Sequence, residues 1–350
     1  VRIYRLWYVE RVRSIKLYNF RNLLNQEIEI PDGLTVLMGE NMQGKTSLLE
    51  SLFIVSTGRS FRTRNIGDIV RWGENQAQIE LSVDGANVVF SVSLEPKTRS
   101  LLLNGERISS LESPLAGRVL YYSDEYLDLV STPSGTRRLF DRLLELSDKE
   151  NMRLAAQYRK LVAERNSMLS SGFYNEPLNE VLSDRIDTIS QKWREKRQAF
   201  LQLVQASLNL RFPQVFDSSY SFKFSVETSD IKNLSLEMLK KTTLFGFQRD
   251  KVLLSVNNKE LNTVASRGFL KILLTFVFVR TAELIHEKQG YVLLLLDDFN
   301  ANIDELHWKK VLELLPERHI IAATTKTWEK ADLGRPYSIL ACEQGRVFPI

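Results

Sequence analysis

Apolar and polar residues alternate with period two in several stretches near the start of the chain. Ser14-Ile-Lys-Leu-Tyr-Asn-Phe20, Glu27-Ile-Glu-Ile30 and Leu34-Thr-Val-Leu-Met38 read as strands turning back in hairpin fashion, the last two separated by Pro31-Asp32-Gly33. Between Lys45 and Ser56 the period changes, and Leu48, Leu49, Leu52 and Phe53 recur at helical spacing. Strand-like alternation returns between Ala77 and Leu103, for example in Asn87-Val-Val-Phe-Ser-Val-Ser-Leu94. From about Ser134 to Leu210 the pattern is helical, with Leu178, Leu182, Ile186, Ile189, Trp193, Phe200 and Val204 forming one stripe. Ser170 to Pro177 interrupts it, which predicts two antiparallel helices forming an arm. The stripe serves either packing on the body or contact with a partner, and no heptad run supports an extended coiled coil. After Pro213 short strands return, followed by a helix from about Ser266 to Glu287. A buried strand at Tyr291 to Leu296 and a last α/β alternation complete the pattern to Ile350. Internal repeats and low-complexity tracts are absent from the sequence.

Two of these elements carry chemistry. Gly39-Glu40-Asn41-Met42-Gln43-Gly44-Lys45-Thr46 has the P-loop spacing and stands between an apolar strand and a helix, where a phosphate cradle has to be. Its glycines let backbone N–H groups turn toward phosphates at the positive end of the helix. Lys45 is expected to reach the β and γ phosphates of ATP, and Thr46 to offer its hydroxyl to Mg²⁺. A second acid for the metal is expected after another apolar strand, and Leu293-Leu-Leu-Leu296 runs into Asp297-Asp298. Asp297 is the metal-side candidate, and Asp298 is placed to polarise an attacking water as a general base. The two motifs lie about 250 residues apart with a helical segment between them, a spacing that favours ABC-type ATPases over compact GTPases. In that class a serine and a glycine at a helix start, here Ser266 and Gly268, complete the ATP site of a second subunit in trans. Serine before a helix is also an ordinary N-cap, so the tetrapeptide Ala265-Ser-Arg-Gly268 carries both readings.

Composition narrows the picture. Of 350 residues 43% are hydrophobic and 26% charged, the balance of a globular protein. No run reaches the roughly 18 apolar residues of a membrane span, and the charged N-terminus makes a poor secretory signal, so a cytoplasmic location is expected. Cys342 stands alone, which excludes an internal disulfide, and His286, His307 and His319 have no metal-ligand spacing. A net charge of +4 permits an anionic partner. Its distribution adds more: six Arg or Lys against one Glu from Val1 to Leu23, and four Arg against one Asp from Gly58 to Trp72. These stretches, with Arg185 to Arg197, are either ordinary solvated faces or candidates for phosphate contacts with an anionic partner.

The chain resembles the RecF family in Leu17-Tyr-Asn-Phe-Arg-Asn-Leu23, Gly39 to Thr46, Thr57-Gly-Arg-Ser-Phe-Arg62 and Leu293-Leu-Leu-Leu-Asp-Asp298. Asp124 to Val130, Arg137 to Arg142, Arg165-Asn166 and Gly246-Phe-Gln-Arg-Asp250 are also similar, in the family's order. The resemblance implies an α/β fold, a P-loop ABC-type ATPase head with an inserted helical second lobe. It implies a weak, DNA-stimulated ATPase that forms an ATP-dependent homodimer, binds duplex and gapped DNA, and works with RecR and RecO in loading RecA. It adds Arg21 and Arg62 to the nucleotide-binding residues. The sequence departs from the family's usual signature in reading Ser266-Arg267-Gly268-Phe269-Leu270, without the glutamines. Thr324-Thr325 stands where transporter ATPases carry a switch histidine, which separates this chain from transporter subunits. A RecF-like ATPase of an antiphage defence system is the remaining alternative.

The expected division is an N-terminal extension at 1–11, a head formed by 12–115 and 240–350, and a helical lobe at 116–239. The extension has no counterpart in the resemblance, and Val1 suggests an alternative start codon, so its removal is expected to leave stability and ATP binding unchanged.

Overall fold

A computed structural model of the chain describes residues 11–110, 112–171, 174–316, 320–324 and 336–350. The expected extension therefore lies outside the described residues except for Arg11, whose guanidinium pairs with Asp32 at 2.8 Å. His319 and Thr325 also lie outside them.

The chain forms two compact units, one from Val1–Asp124 with Ala282–Ile350 and one from Glu125–Thr281. In the first unit, β1 (Val12–Tyr18), β2 (Gln26–Glu29), β4 (Gln76–Val83), β5 (Ala86–Ser93) and β6 (Thr98–Leu103) make an antiparallel sheet in the order β2-β1-β4-β5-β6, with Glu106–Arg107 at its edge. Strict alternation gives this sheet one apolar face: Ala77, Ile79, Leu81 and Val83 on β4 are buried with Val88, Phe90 and Val92 on β5. The second sheet contains β3 (Leu34–Met38), β7 (Val119–Tyr122), β10 (Leu293–Leu296), β11 (Ile320–Thr324), β12 (Tyr337–Glu343) and β13 (Arg346–Pro349), in the order β13-β12-β3-β11-β10-β7. All its pairings are parallel except the edge hairpin β12–β13. β3 thus leaves the sheet of β1 and β2, so the hairpin-like reading of residues 14–40 holds only for its first two strands. The run Leu293–Leu296 is buried at every residue because it sits inside a parallel sheet covered on both faces.

Helix α1 (Lys45–Thr57) contacts β4 and β5 of one sheet and β7 and β11 of the other. Packing on two sides explains why Ser47, Glu50 and Ser51 are buried along with Leu48, Leu49 and Leu52. The P-loop follows β3 and Asp297-Asp298 follows β10, with only β11 between them. Both motifs therefore emerge at the carboxyl ends of parallel strands, where open α/β sheets bind ligands.

The second unit contains α2 (Pro133–Leu146), α3 (Lys149–Ser170), α4 (Glu176–Phe216), α5 (Leu234–Lys240) and the sheet of β8 (Phe222–Glu227), β9 (Lys251–Val256) and Lys259–Glu260. Its last helix, α6 (Arg267–Gln289), continues into the first unit's sequence. α3 and α4 run antiparallel: Arg165 on α3 meets Asn179 on α4, and Glu150 meets Lys192 and Lys196. The α4 stripe is buried from Leu182 to Val204, whereas Leu178 at its first turn is exposed. Pro213 lies within α4 rather than beyond it, because it falls in the last turn, where a missing N–H removes one bond and buried Phe212 and Val215 hold the helix in place.

The unit boundaries differ from those expected. Val119–Tyr122 pairs with β10 and belongs to the first unit. Residues 240–281 fall in the second, because β9 pairs with β8 along six residues and packs on α2.

Candidate functional site

The P-loop is held open by close packing around its glycines. Gly39 and Gly44 have φ of +152° and +115°, and Met42 adopts a left-handed +66°. A Cβ at Gly39 would lie 2.3 Å from the carbonyl oxygen of Cys342, and one at Gly44 would lie 2.5 Å from Leu23. No other residue type fits either place. Gln43 fastens the loop to the β12–β13 turn: its carbonyl accepts from the Cys342 thiol at 3.1 Å and from Gly345 N at 3.2 Å. Asn22 fastens the other side, donating to the Met42 carbonyl at 2.8 Å and accepting from the Ser47 hydroxyl at 2.9 Å. Lys45 is buried and folds back onto the loop, donating to the carbonyls of Gly39 and Glu40 at 2.7 Å each. Burial lowers its pKa, and the nearby charges of Asp298 and Asp297, and of Cys342 when it is a thiolate, act in the opposite sense. Burial likewise pushes the Cys342 thiol up to about 11, so it is protonated and inert at neutral pH.

Thr46 and the acid pair, 251 residues apart in sequence, meet in space. The Thr46 hydroxyl donates to Asp297 Oδ1 at 3.2 Å, and Tyr121 donates to Oδ2 at 3.0 Å. Burial raises the Asp297 pKa, with a further rise from Asp298, against hydrogen bonds from Tyr121, Thr46 and the Asp298 backbone. A hydroxyl beside a desolvated carboxylate is a hard-oxygen donor pair of the kind that suits a divalent cation. The pair fits Mg²⁺. Asp298, at φ +47°, turns its exposed side chain toward the cavity that Lys45 and Thr46 line.

That cavity, of about 1100 Å³, also receives Arg21, Asn22, Asn41, Arg62 and Trp72. Its organiser is Glu50 of α1, which is fully buried. One carboxylate accepts from Arg21 Nε and Nη2 at 2.9 and 2.7 Å, from the Ser60 hydroxyl, and from Arg62 Nη1 at 3.5 Å. Two guanidinium groups thus share one carboxylate, and their surplus charge faces the P-loop. Glu50, Asn22 and Tyr121 were not among the residues expected from sequence. Glu50 has a legible signal, a charged residue on the apolar side of a helix, while Tyr121 reaches Asp297 only through the pairing of β7 with β10.

Ser266 caps α6, accepting from Phe269 N at 3.2 Å, with Gly268 in the first turn. Both belong to the second unit, whereas Lys45 and Asp297 belong to the first. Within the basic stretch Arg185 to Arg197, Arg197 is buried and Arg194 is largely occupied inside the fold, so neither offers a free charge for phosphate contacts. Arg197 binds Asp141 at 2.7 Å, Asp250 at 2.7 Å and the Phe247 carbonyl. Arg194 chelates Asp250 and Asp230, and Lys196 pairs with Glu150. Helical periodicity placed these charges on one segment without revealing that carboxylates from α2, from α3 and from the loops after β8 and before β9 face them. In Gly58 to Trp72, Arg62 is tied to Glu50 and Arg71 to the Leu23 carbonyl, and Arg59 and Arg64 are exposed without a side-chain partner among the described residues. Among the described residues no group of three or more His, Cys, Asp or Glu side chains is placed to hold a metal ion, and no helix is long and apolar enough to cross a membrane.

Residues 14–260 match the model of the AAA domain family. A protein of Exiguobacterium sp. named DNA replication and repair protein RecF is 29% identical, over 90% of this chain and 92% of its own length. One of the same name from Geobacillus thermodenitrificans is 26% identical over 95% of this chain and 98% of its own length. Among solved structures, the recombination mediator protein RecF with ATP, of the RecFOR pathway, superposes with a TM-score of 0.79 at 21% identity, covering 98% of each chain. The Smc head domain of Pyrococcus furiosus shares the fold at a TM-score of 0.58 and 14% identity, covering 98% of this chain and 96% of its own.

Proposed function

We propose, from the premise that this chain belongs to the AAA-domain family and within it to the RecF proteins, that ATP binding controls its hold on DNA in replication and repair. The observation that carries the reading is the convergence of the P-loop, Asp297-Asp298 and the Glu50-held arginines on one cavity. The relatives' shared name favours replication and repair over the defence alternative.

The roles of the site residues follow from their placement. Backbone N–H groups of Gly39 to Thr46 and the Lys45 ammonium bind the triphosphate; the ammonium exchanges two backbone carbonyls for phosphate oxygens. Thr46 and Asp297 would hold Mg²⁺, which would supply positive charge to offset that of the phosphates. Tyr121 fixes the Asp297 carboxylate by its second oxygen. Asp298 accepts a proton from the attacking water, and Arg21 and Arg62 add positive charge at the phosphates. Ser266 and Gly268 of a second copy complete each site, so that ATP stabilises a two-fold dimer by mass action. Duplex and gapped DNA are the ligands of that dimer, and RecR, RecO and RecA its partners. The test is DNA binding by the parent and by Lys45→Ala, with and without ATP. ATP is expected to tighten binding by the parent alone, and equal binding by both proteins at every ATP concentration would sink the reading.

A further inference from the structure

The two most exposed large apolar side chains among the described residues, Trp72 at 100% and Met42 at 93%, both line the P-loop cavity. A wholly solvated indole gains nothing from folding, and tryptophan is normally among the well-buried side chains. Trp72 is nevertheless presented by a fixed backbone. It stands in a turn closed by Glu74 N donating to the Arg71 carbonyl at 3.0 Å, with Gly73 at φ +85°. Arg71 anchors that turn twice, through its backbone N–H to the Asn19 carbonyl at 2.8 Å and through its guanidinium to the Leu23 carbonyl. The backbone that carries the indole is therefore fixed at the rim of the cavity, and the ring itself is left uncovered by the described residues.

We propose that Trp72 is the platform on which the base of the bound nucleotide stacks, while the P-loop holds the phosphates. The inference rests on the nucleotide site proposed above and adds how that site reads the base. A π-face accepts any nucleobase, so recognition through Trp72 is by shape and stacking rather than by base edges. The site consequently binds purine triphosphates with little discrimination, and a triphosphate lacking a base loses the contribution of the indole.

The experiment compares ATP, GTP and inorganic tripolyphosphate binding by the full chain and by Trp72→Ala and Trp72→Phe. Trp72→Ala should weaken ATP and GTP about tenfold, within the range of base–aromatic stacking, and leave tripolyphosphate affinity unchanged. Trp72→Phe should recover most of the loss. Equal ATP affinity in parent and Trp72→Ala overturns the proposal, as does a parallel loss of tripolyphosphate, which marks a disturbed loop. A loss confined to DNA binding assigns the indole to nucleic acid and overturns it too. Failure of the parent itself to bind ATP removes the underlying site, an outcome distinct from these.

Discussion

At the scale of the residue, burial decides which charges hold the fold and which serve a ligand. Arg21 and Arg62 face the same cavity and the same Glu50, but Arg21 makes two short bonds and is largely buried, whereas Arg62 is half exposed at 3.5 Å. Arg62→Ala is therefore expected to weaken ATP binding about tenfold, the worth of one hydrogen bond to a charged group, with a stability change under about 1 kcal/mol. Arg21→Ala should reduce both, because it leaves a buried carboxylate poorly compensated at a cost of about 3 kcal/mol. Calorimetric ATP titration beside thermal unfolding separates the two; equal effects of both variants would remove the distinction. The P-loop and the acid pair were legible in sequence because phosphate chemistry fixes residue type and spacing. Glu50 was not assigned, because its role arises from partners 10 to 29 residues away that only the folded chain brings together.

At the scale of the element, periodicity revealed helices and strands well and their partners poorly. The buried stripe of α4 and the all-apolar β10 could be read directly, since each period reports a buried face. The placing of β3 in the second sheet and of residues 240–281 in the second unit could not, since β3 pairs in parallel with strands far along the chain and β9 pairs antiparallel with β8 across an intervening helix. The same blindness hid that Arg194 and Arg197 of this basic stretch are taken up by carboxylates inside the fold. Arg197→Ala is expected to destabilise the protein by about 3–5 kcal/mol, because it leaves Asp141 and Asp250 with a buried charge. It should not flatten the salt dependence of DNA binding. Removing Arg59 and Arg64 should, lowering the slope of log affinity against log salt by about two if both meet phosphates; an unchanged slope returns them to solvent. At the start of α6, Ser266→Arg should spare ATP binding by the monomer and block ATP-dependent dimerisation, read by sedimentation. Dimerisation like that of the parent would leave Ser266 as a helix cap.

At the scale of the whole molecule, stability should depend on acid through the second unit's network. Burial alone would raise the Asp250 pKa, but bonds from Arg194, Ser229 N and Arg197 together hold it below the ordinary carboxylate value. A depressed pKa in the folded state contributes stability that is present above the unfolded value, near 4, and fades as pH falls through the folded one. The melting temperature should drop below about pH 4, and replacing Asp250 by Asn should make that drop shallower while lowering the plateau; an unaltered acid limb would exclude Asp250 from the effect. The fastening of Gln43 to Cys342 and Gly345 has a different consequence, in the order of events during synthesis. A chain leaving the ribosome presents Gly39 to Thr46 early, with Asn22 already made on one side of the loop, yet Cys342 and Gly345, which fasten its other side, are made some 300 positions later. The emerging protein thus carries the sequence of a nucleotide site long before it has the site, and it stays blind to the ATP around it until the β12–β13 hairpin arrives. Nascent chains stalled before Tyr337 should accordingly fail to retain ATP analogues, while chains released past Pro349 should bind them.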